Sequence, residues 1–432
     1  MHPLAEELNS ILDGTIAGRL LSNLGRRFYF PRGIIAQSAE AKLSAKTANG
    51  TIGVACNEGV PLILSAIADN MASLTPEESV AYAPTAGVEK VRKVWKDLMI
   101  QKNPSLNSSV ISLPVVVPGL TAGLSYTADM FISKGSHFIV SDPCWDNYCL
   151  IFDVRRGAKL IGVPFFGASS GLDIKAIRAA VEHEAKTGSV RILFNFPNNP
   201  TGYSPTVEEA EELSALFRET AEGGADVLVI CDDAYFGLFY EDNIDRESLF
   251  ARFAGLHEKV LAVKIDGPIK EDYAWGLRVG FVTIGSKGLS AEHCDALVRK
   301  YMGAIRSSAS CANTSAQYLM IKAMEDARTP AEKEQFMTML QRRYNLVKKF
   351  TVENAGHPVL EPMPFNSGYF MSFRCKEINA ETLRRELLTK YGVGVISLGD
   401  HCLRVAFSSI DEEKITETYR IIYDTARKLH GD

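Results

Sequence analysis

The amino-acid sequence predicts an α/β protein, with a large domain built on a mainly parallel central sheet and a smaller α+β domain. Two observations carry this expectation. Through the middle of the chain, short apolar runs alternate with helix-length amphipathic stretches, the signature of a parallel sheet covered on both faces. Beyond about residue 330 the alternation stops, and a long charged stretch gives way to isolated apolar runs. The 432 residues suffice for two or three domains at roughly 150 residues each.

The strands of the larger domain are expected, in order, at Pro114–Val117, His137–Val140, Lys159–Val163, Arg191–Phe194, Val227–Ile230, Val260–Val263 and Val279–Thr283. Amphipathic segments near 121–133, 173–185, 206–221 and 288–303 supply the covering helices. Pro143, Pro197 and Pro268 each fall just after a strand, where a turn is needed. A charged helix from Pro330 to Asn354 links the domains, and Gly368–Phe373 and Cys402–Phe407 are strands of the smaller one. The N-terminal sixty residues have no core of their own and are expected to join that smaller unit. The expected boundaries are therefore 1–61 and 336–432 for the small domain and 62–335 for the large one.

Composition narrows the function. Hydrophobic residues make up 46% and charged residues 23%, as in soluble globular proteins. A net charge of −5 without basic blocks argues against a nucleic-acid or anionic-membrane surface. No apolar run approaches the ~18 residues of a membrane helix. The first residues carry Glu6 and Glu7 where a secretory signal has Lys or Arg, so a cytoplasmic location is expected. The eight cysteines are scattered, with no CxxC pair and no histidine at ligand spacing. They read as reduced thiols, and no metal is expected.

In a parallel sheet the ligand sits beyond the carboxyl ends of the strands, and four such ends carry reactive or turn-forming residues. Pro118-Gly119-Leu120-Thr121 opens a helix whose free N–H groups can hold a phosphate. Asn195-Phe196-Pro197-Asn198-Asn199-Pro200-Thr201-Gly202 follows one strand, and Asp232-Asp233-Ala234-Tyr235 follows another. Asp266-Gly267-Pro268-Ile269-Lys270 follows a third, with Arg278 eight residues beyond the lysine. Singly, each is an ordinary turn, cap or solvated side chain.

Together and in this order, from about Gly50 to Phe407, they resemble the aspartate aminotransferase family, class I and II pyridoxal-phosphate enzymes of fold type I. The resemblance implies pyridoxal 5'-phosphate as cofactor and Lys270 as the lysine that forms its Schiff base. Lys264, fourteen residues before Arg278, does not fit the spacing. By the same resemblance Arg278 grips the phosphate, near Leu120 and Thr121. Asp232 pairs with the pyridinium nitrogen, Tyr235 and Asn199 meet the ring hydroxyl, and Trp145 stacks on the ring. Arg404 binds the substrate α-carboxylate, and Gly53 lines the substrate mouth. Tyr82 reaches the phosphate from the neighbouring subunit, which implies a homodimer with shared sites. Arg306 lies where dicarboxylate-using members place an arginine for the distal carboxylate, which points to aspartate or glutamate with 2-oxoglutarate.

Elementary chemistry supports the central assignments. The cofactor is an electron sink only while its ring nitrogen keeps a proton, which a buried carboxylate stabilises. Its aldehyde needs an amine that also serves as base, and a lysine with a lowered pKa does both. Its phosphate needs a cation and N–H donors. Two positions depart from the family. Gly267 stands where a phosphate-binding serine is common, so that donor is missing or is supplied by backbone or by another residue such as Ser308 or Ser310, and Leu120 replaces a frequent glycine.

Transamination between an L-amino acid and a 2-oxo acid is the leading reading, with an amino-acid lyase or decarboxylase of the same fold as the alternative, since the cradle does not fix the reaction. An amino-acid-sensing regulator is disfavoured, because the fifty residues ahead of the domain have no basic bias.

Overall fold

The apolar runs of the sequence become one seven-stranded sheet. In this computed structural model, which describes residues 1–13, 15, 21, 25–27, 33–168 and 171–431, the strands are β1 (Val115–Val117), β2 (His137–Asp142), β3 (Lys159–Pro164), β4 (Ser189–Asn195), β5 (Asp226–Asp232), β6 (Val260–Asp266) and β7 (Gly280–Gly285). Their order across the sheet is β1-β7-β6-β5-β4-β2-β3. All neighbours run parallel except β7, which is antiparallel to both β1 and β6.

Alternation of side chains sorts each strand between two apolar layers. Val227, Val229 and Cys231 of β5 enter the core with Leu213 and Phe217, while Leu228 and Ile230 enter the opposite core with Leu124. Helix α1 (Ile34–Ser44) and helix α2 (Glu89–Lys102) precede the sheet in the chain, and Trp95 of α2 stacks on Phe281 of β7 at 4.5 Å. On one face lies α3 (Leu120–Phe131), and on the other lie α4 (Ile174–Ala185) and α5 (Val207–Glu222). Helix α6 (Ala291–Arg306) packs beside α3. Thr206 and Glu209 form a capping box that starts α5. Helix α3 has Gly119 at its N-cap with no side-chain cap, so its first N–H groups stay available.

The smaller sheet contains β8 (Leu360–Pro362), β9 (Phe370–Cys375), β10 (Ile396–Leu398) and β11 (Cys402–Ala406), in the antiparallel order β8-β9-β11-β10. Helix α7 (Thr329–Glu353) spans both sheets. Its Lys333 pairs with Asp272 at 2.6 Å near β6, and its Arg343 donates to the Ser408 carbonyl at 2.6 Å just past β11. Helices α8 (Ala380–Tyr391) and α9 (Glu412–His430) complete this layer. Part of the N-terminal segment, residues 37–49, attaches here, whereas Arg27 reaches the larger domain and pairs with Asp153 at 3.1 Å. Ala48–Asn49 pairs in parallel with Val393–Gly394, and Gln37 of α1 donates to the Ser397 carbonyl at 3.0 Å.

Several elements differ from the expected spans for local reasons. The strand expected at Gly368 begins at Phe370, because Gly368 has φ 72 and its N–H turns to the Leu238 carbonyl at 2.8 Å. The helix expected from 288 begins at Ala291, where Ser290 caps it. Helices α2, α8 and α9 lie outside the segments singled out from the sequence. Among the described residues, no helix is long and apolar enough to cross a membrane.

Candidate active site

The carboxyl ends of β4, β5 and β6 are in register. Asn195 sits opposite Asp232, and Asp232 opposite Ile265. Together with the start of α3 and the nearer ends of β9 and β11, they border a cavity of about 270 Å³. It is lined by Lys270, Asp232, Tyr235, Asn199, Trp145, Leu120, Thr121, Arg278, Gly53 and Arg404, so ten of the residues singled out from the sequence meet in one place.

Lys270 lies in a four-residue helical turn, Pro268–Glu271, directly after β6. Its Nζ is 4.7 Å from the centroid of the Tyr235 ring. Burial lowers the amine to about 8, aided by Arg278 and Arg404 and opposed by Asp232. Asp232 ends β5 on the α3 side of the sheet and is fully enclosed. Its Oδ2 accepts a 2.6 Å hydrogen bond from the Tyr148 hydroxyl, whereas Oδ1 is buried with no protein partner. Burial raises this carboxyl to about 6, and the Tyr148 bond acts in the opposite sense.

Asn195 holds the strand ends together, donating to the Asp232 carbonyl at 2.7 Å and accepting from the Asn199 N–H at 2.8 Å. Asn199 Oδ1 in turn accepts from Arg404 Nη1 at 2.8 Å. Arg404 Nη2 donates to the Thr51 carbonyl at 3.0 Å, and the guanidinium lies 4.3 Å over the Phe370 ring. Its Nε is buried without a partner. The arginine is thus oriented by the protein yet keeps donors in hand, and burial pushes it below the usual arginine range. A Cβ on Gly53 would lie 3.0 Å from both the Tyr235 hydroxyl and the Phe370 ring, so the glycine keeps this end of the cavity open.

Arg278 adopts a left-handed backbone conformation, φ 54, and its guanidinium lies against Gly119, where any Cβ would overlap it. This sets a cation beside the uncapped start of α3, a combination that suits a phosphate. Gly267 is crowded. A Cβ there would lie 2.9 Å from the Val279 carbonyl and 3.0 Å from Leu120 Cδ1, so this backbone has no room for the family's serine. Ser308 and Ser310 do not replace it. Ser308 bonds Tyr126 at 2.7 Å, Ser310 bonds Arg306, and neither lines the cavity.

Two further residues singled out from the sequence lie apart from the cavity in their own chain. Tyr82 is 91% exposed, and Arg306 is the exposed last residue of α6. Lys264 is separated from the site by strand alternation. It faces the opposite side of the sheet, 1% exposed, in a closed ion cluster with Asp233 and with Asp266 at 3.5 Å.

Sequence reasoning passed over Tyr148, Asn195, Ile34 and Phe370, which also line the cavity. Asn195 opens a motif already quoted, at the last position of β4, and Tyr148 lies three residues after Trp145. Ile34 carries no signal in the sequence. Among the described residues there is no cluster suited to a metal.

The residues fit a phosphorylated pyridine ring. The unpartnered Asp232 Oδ1 matches a ring N–H, the Arg278 and α3 end matches the phosphate, and the lowered Lys270 amine matches an aldehyde carbon.

The sequence profile described as aminotransferase class I and II matches residues 53–422. An aspartate aminotransferase from Salmonella typhi is 26% identical over 283 residues, covering 65% of this chain and 68% of that protein. Aromatic-amino-acid aminotransferase 2 of Thermococcus litoralis is 21% identical over 79% of this chain and 80% of its own. Among solved structures, an aminotransferase from Anaerococcus prevotii aligns with a TM-score of 0.82 at 23% identity, covering 95% of this chain and 98% of that one. The kynurenine aminotransferase of Pyrococcus horikoshii aligns at 0.79 and 15% identity, covering 97% and 99%.

Proposed function

This chain belongs to the class I and II aminotransferases, and from that premise we propose that it binds pyridoxal 5'-phosphate in the strand-end cavity through Lys270. The reaction is transfer of an amino group between an L-amino acid and a 2-oxo acid. When bound, the cofactor supplies an electron sink. The observation that carries the reading is the buried, half-paired Asp232 carboxylate, in one cavity with a lysine whose amine is lowered to about 8.

The chain's own groups then divide the work. Asp232 Oδ1 holds the proton on the ring nitrogen while Tyr148 keeps the carboxylate ionised from the other side. Lys270 would hold the cofactor through its amine and would move a proton at the substrate's α-carbon. Arg278 and the α3 N–H groups would hold the phosphate end, Trp145 would stack on the ring, and Tyr235 and Asn199 would bond its hydroxyl. Arg404 takes the substrate carboxylate, oriented by Asn199 and Thr51.

We also propose a homodimer. Tyr82 is exposed together with Val60, Ile63, Met71 and Val80 on one N-terminal stretch, which supports its burial by a second copy. Arg306 serves a distal carboxylate only if delivered across that interface.

The test is a half-reaction. Borohydride added to the holoenzyme should fix the cofactor on a peptide containing Lys270, and an amino acid alone should yield its 2-oxo acid and pyridoxamine phosphate. Labelling at Lys264, or release of ammonia and pyruvate, would refute the reading.

A further inference from the structure

The turn that carries Lys270 is only four residues long, and its position is set from outside. On one side the Glu271 carboxylate accepts from Lys102 at the end of α2 and from Lys333 near the start of α7, at 3.4 Å for the latter. On the other side, the Lys270 carbonyl accepts a 2.8 Å hydrogen bond from the Tyr369 hydroxyl. Tyr369 is completely buried and stands edge-on to Tyr235, ring centroids 5.5 Å apart. The next residue, Phe370, begins β9 and supports the Arg404 guanidinium. Consecutive residues at one strand end therefore touch the main chain of the lysine and the side chain of the arginine.

We propose that Tyr369 is a positioning residue for Lys270, its hydroxyl fixing the main chain of the lysine turn relative to the strand end that supports Arg404. The inference rests on the roles given above to Lys270 and Arg404. A buried tyrosine hydroxyl requires a partner, and here the partner is the carbonyl of the reacting residue itself. Fixing the main chain of the lysine limits the positions open to its amine, and misplacement of a reacting group by about 1 Å costs up to a hundredfold in rate.

Tyr369→Phe keeps the ring against Tyr235 and removes only the hydroxyl. In the half-reaction, kcat should fall about tenfold while the amino-acid KM stays within about twofold. A second readout uses cofactor-free protein. Covalent capture of pyridoxal phosphate, followed by absorbance, should slow by a similar factor. Affinity for pyridoxamine phosphate, which has no aldehyde to join the lysine, should be unchanged. A wild-type capture rate in Tyr369→Phe would overturn the proposal, as would a loss of pyridoxamine phosphate affinity parallel to the loss of kcat. Wild-type protein that attaches no cofactor at Lys270 would instead overturn the reading of the site on which this one rests.

Discussion

Removing the Tyr148 hydroxyl probes how the protein keeps Asp232 charged. The phenol donates to Asp232 Oδ2 at 2.6 Å from a fully buried position, and Tyr148→Phe leaves the ring stacked edge-on to Trp145 at 5.5 Å. A hydrogen bond to a charged group contributes about 1.5–3 kcal/mol, and one pKa unit corresponds to about 1.4 kcal/mol. The donor favours the carboxylate form, so its loss raises Asp232. From about 6, the carboxyl should rise by about one to two units, leaving about half or more of it protonated at neutral pH. A protonated Asp232 cannot neutralise a ring N–H⁺. The assay is the pH dependence of pyridoxamine phosphate binding to cofactor-free protein, read by tryptophan fluorescence. Binding that weakens in wild type as pH falls through about 6 should weaken in the variant about one to two units higher. Turnover near neutral pH should fall about ten- to hundredfold and recover in part at higher pH. An unchanged binding midpoint would refute the argument that Tyr148 holds the charge on Asp232.

Three further outcomes follow from the geometry. Capture of pyridoxal phosphate by cofactor-free protein requires the unprotonated Lys270 amine, so its rate should rise with pH and level off above about 8, whereas a midpoint near that of an ordinary lysine would contradict the burial argument. Lys264→Met leaves Asp233 and Asp266 buried without their cation and should destabilise the fold by about 3–5 kcal/mol in denaturant titrations, with borohydride labelling still at Lys270; loss of the label would restore Lys264 as the attachment point. Gly267→Ser should not improve phosphate binding, because its Cβ meets the Val279 carbonyl at 2.9 Å; a cost of about 1–3 kcal/mol from overpacking is expected, and tighter cofactor binding in that variant would show that the backbone yields.

The sheet was legible because strands buried on both faces carry mostly apolar side chains, and β1, β4, β5 and β6 each contain an apolar run of three or more residues. The candidate cofactor-binding residues were legible through the family resemblance, whose motifs set them at short spacings beyond strand ends: Asp232 with Tyr235, and Lys270 with Arg278. Helices α2, α8 and α9 were harder to see, since each buries a narrow stripe beneath a charged outer face. Contacts between distant segments carry no local pattern. Arg404 finds Asn199 across 205 residues and the Thr51 carbonyl across 353, and Tyr369 finds the Lys270 carbonyl across 99. The free volume at Gly267 is set by Val279 and Leu120, which arrive from two other elements. Residue type and spacing determined which chemistry the chain can perform. Only tertiary packing decided how far burial lowers the Lys270 amine, which Asp232 oxygen is left unpaired and which hydroxyls bond the Asp232 carboxylate and the Lys270 carbonyl, because burial and hydrogen-bond partnership depend on the whole fold.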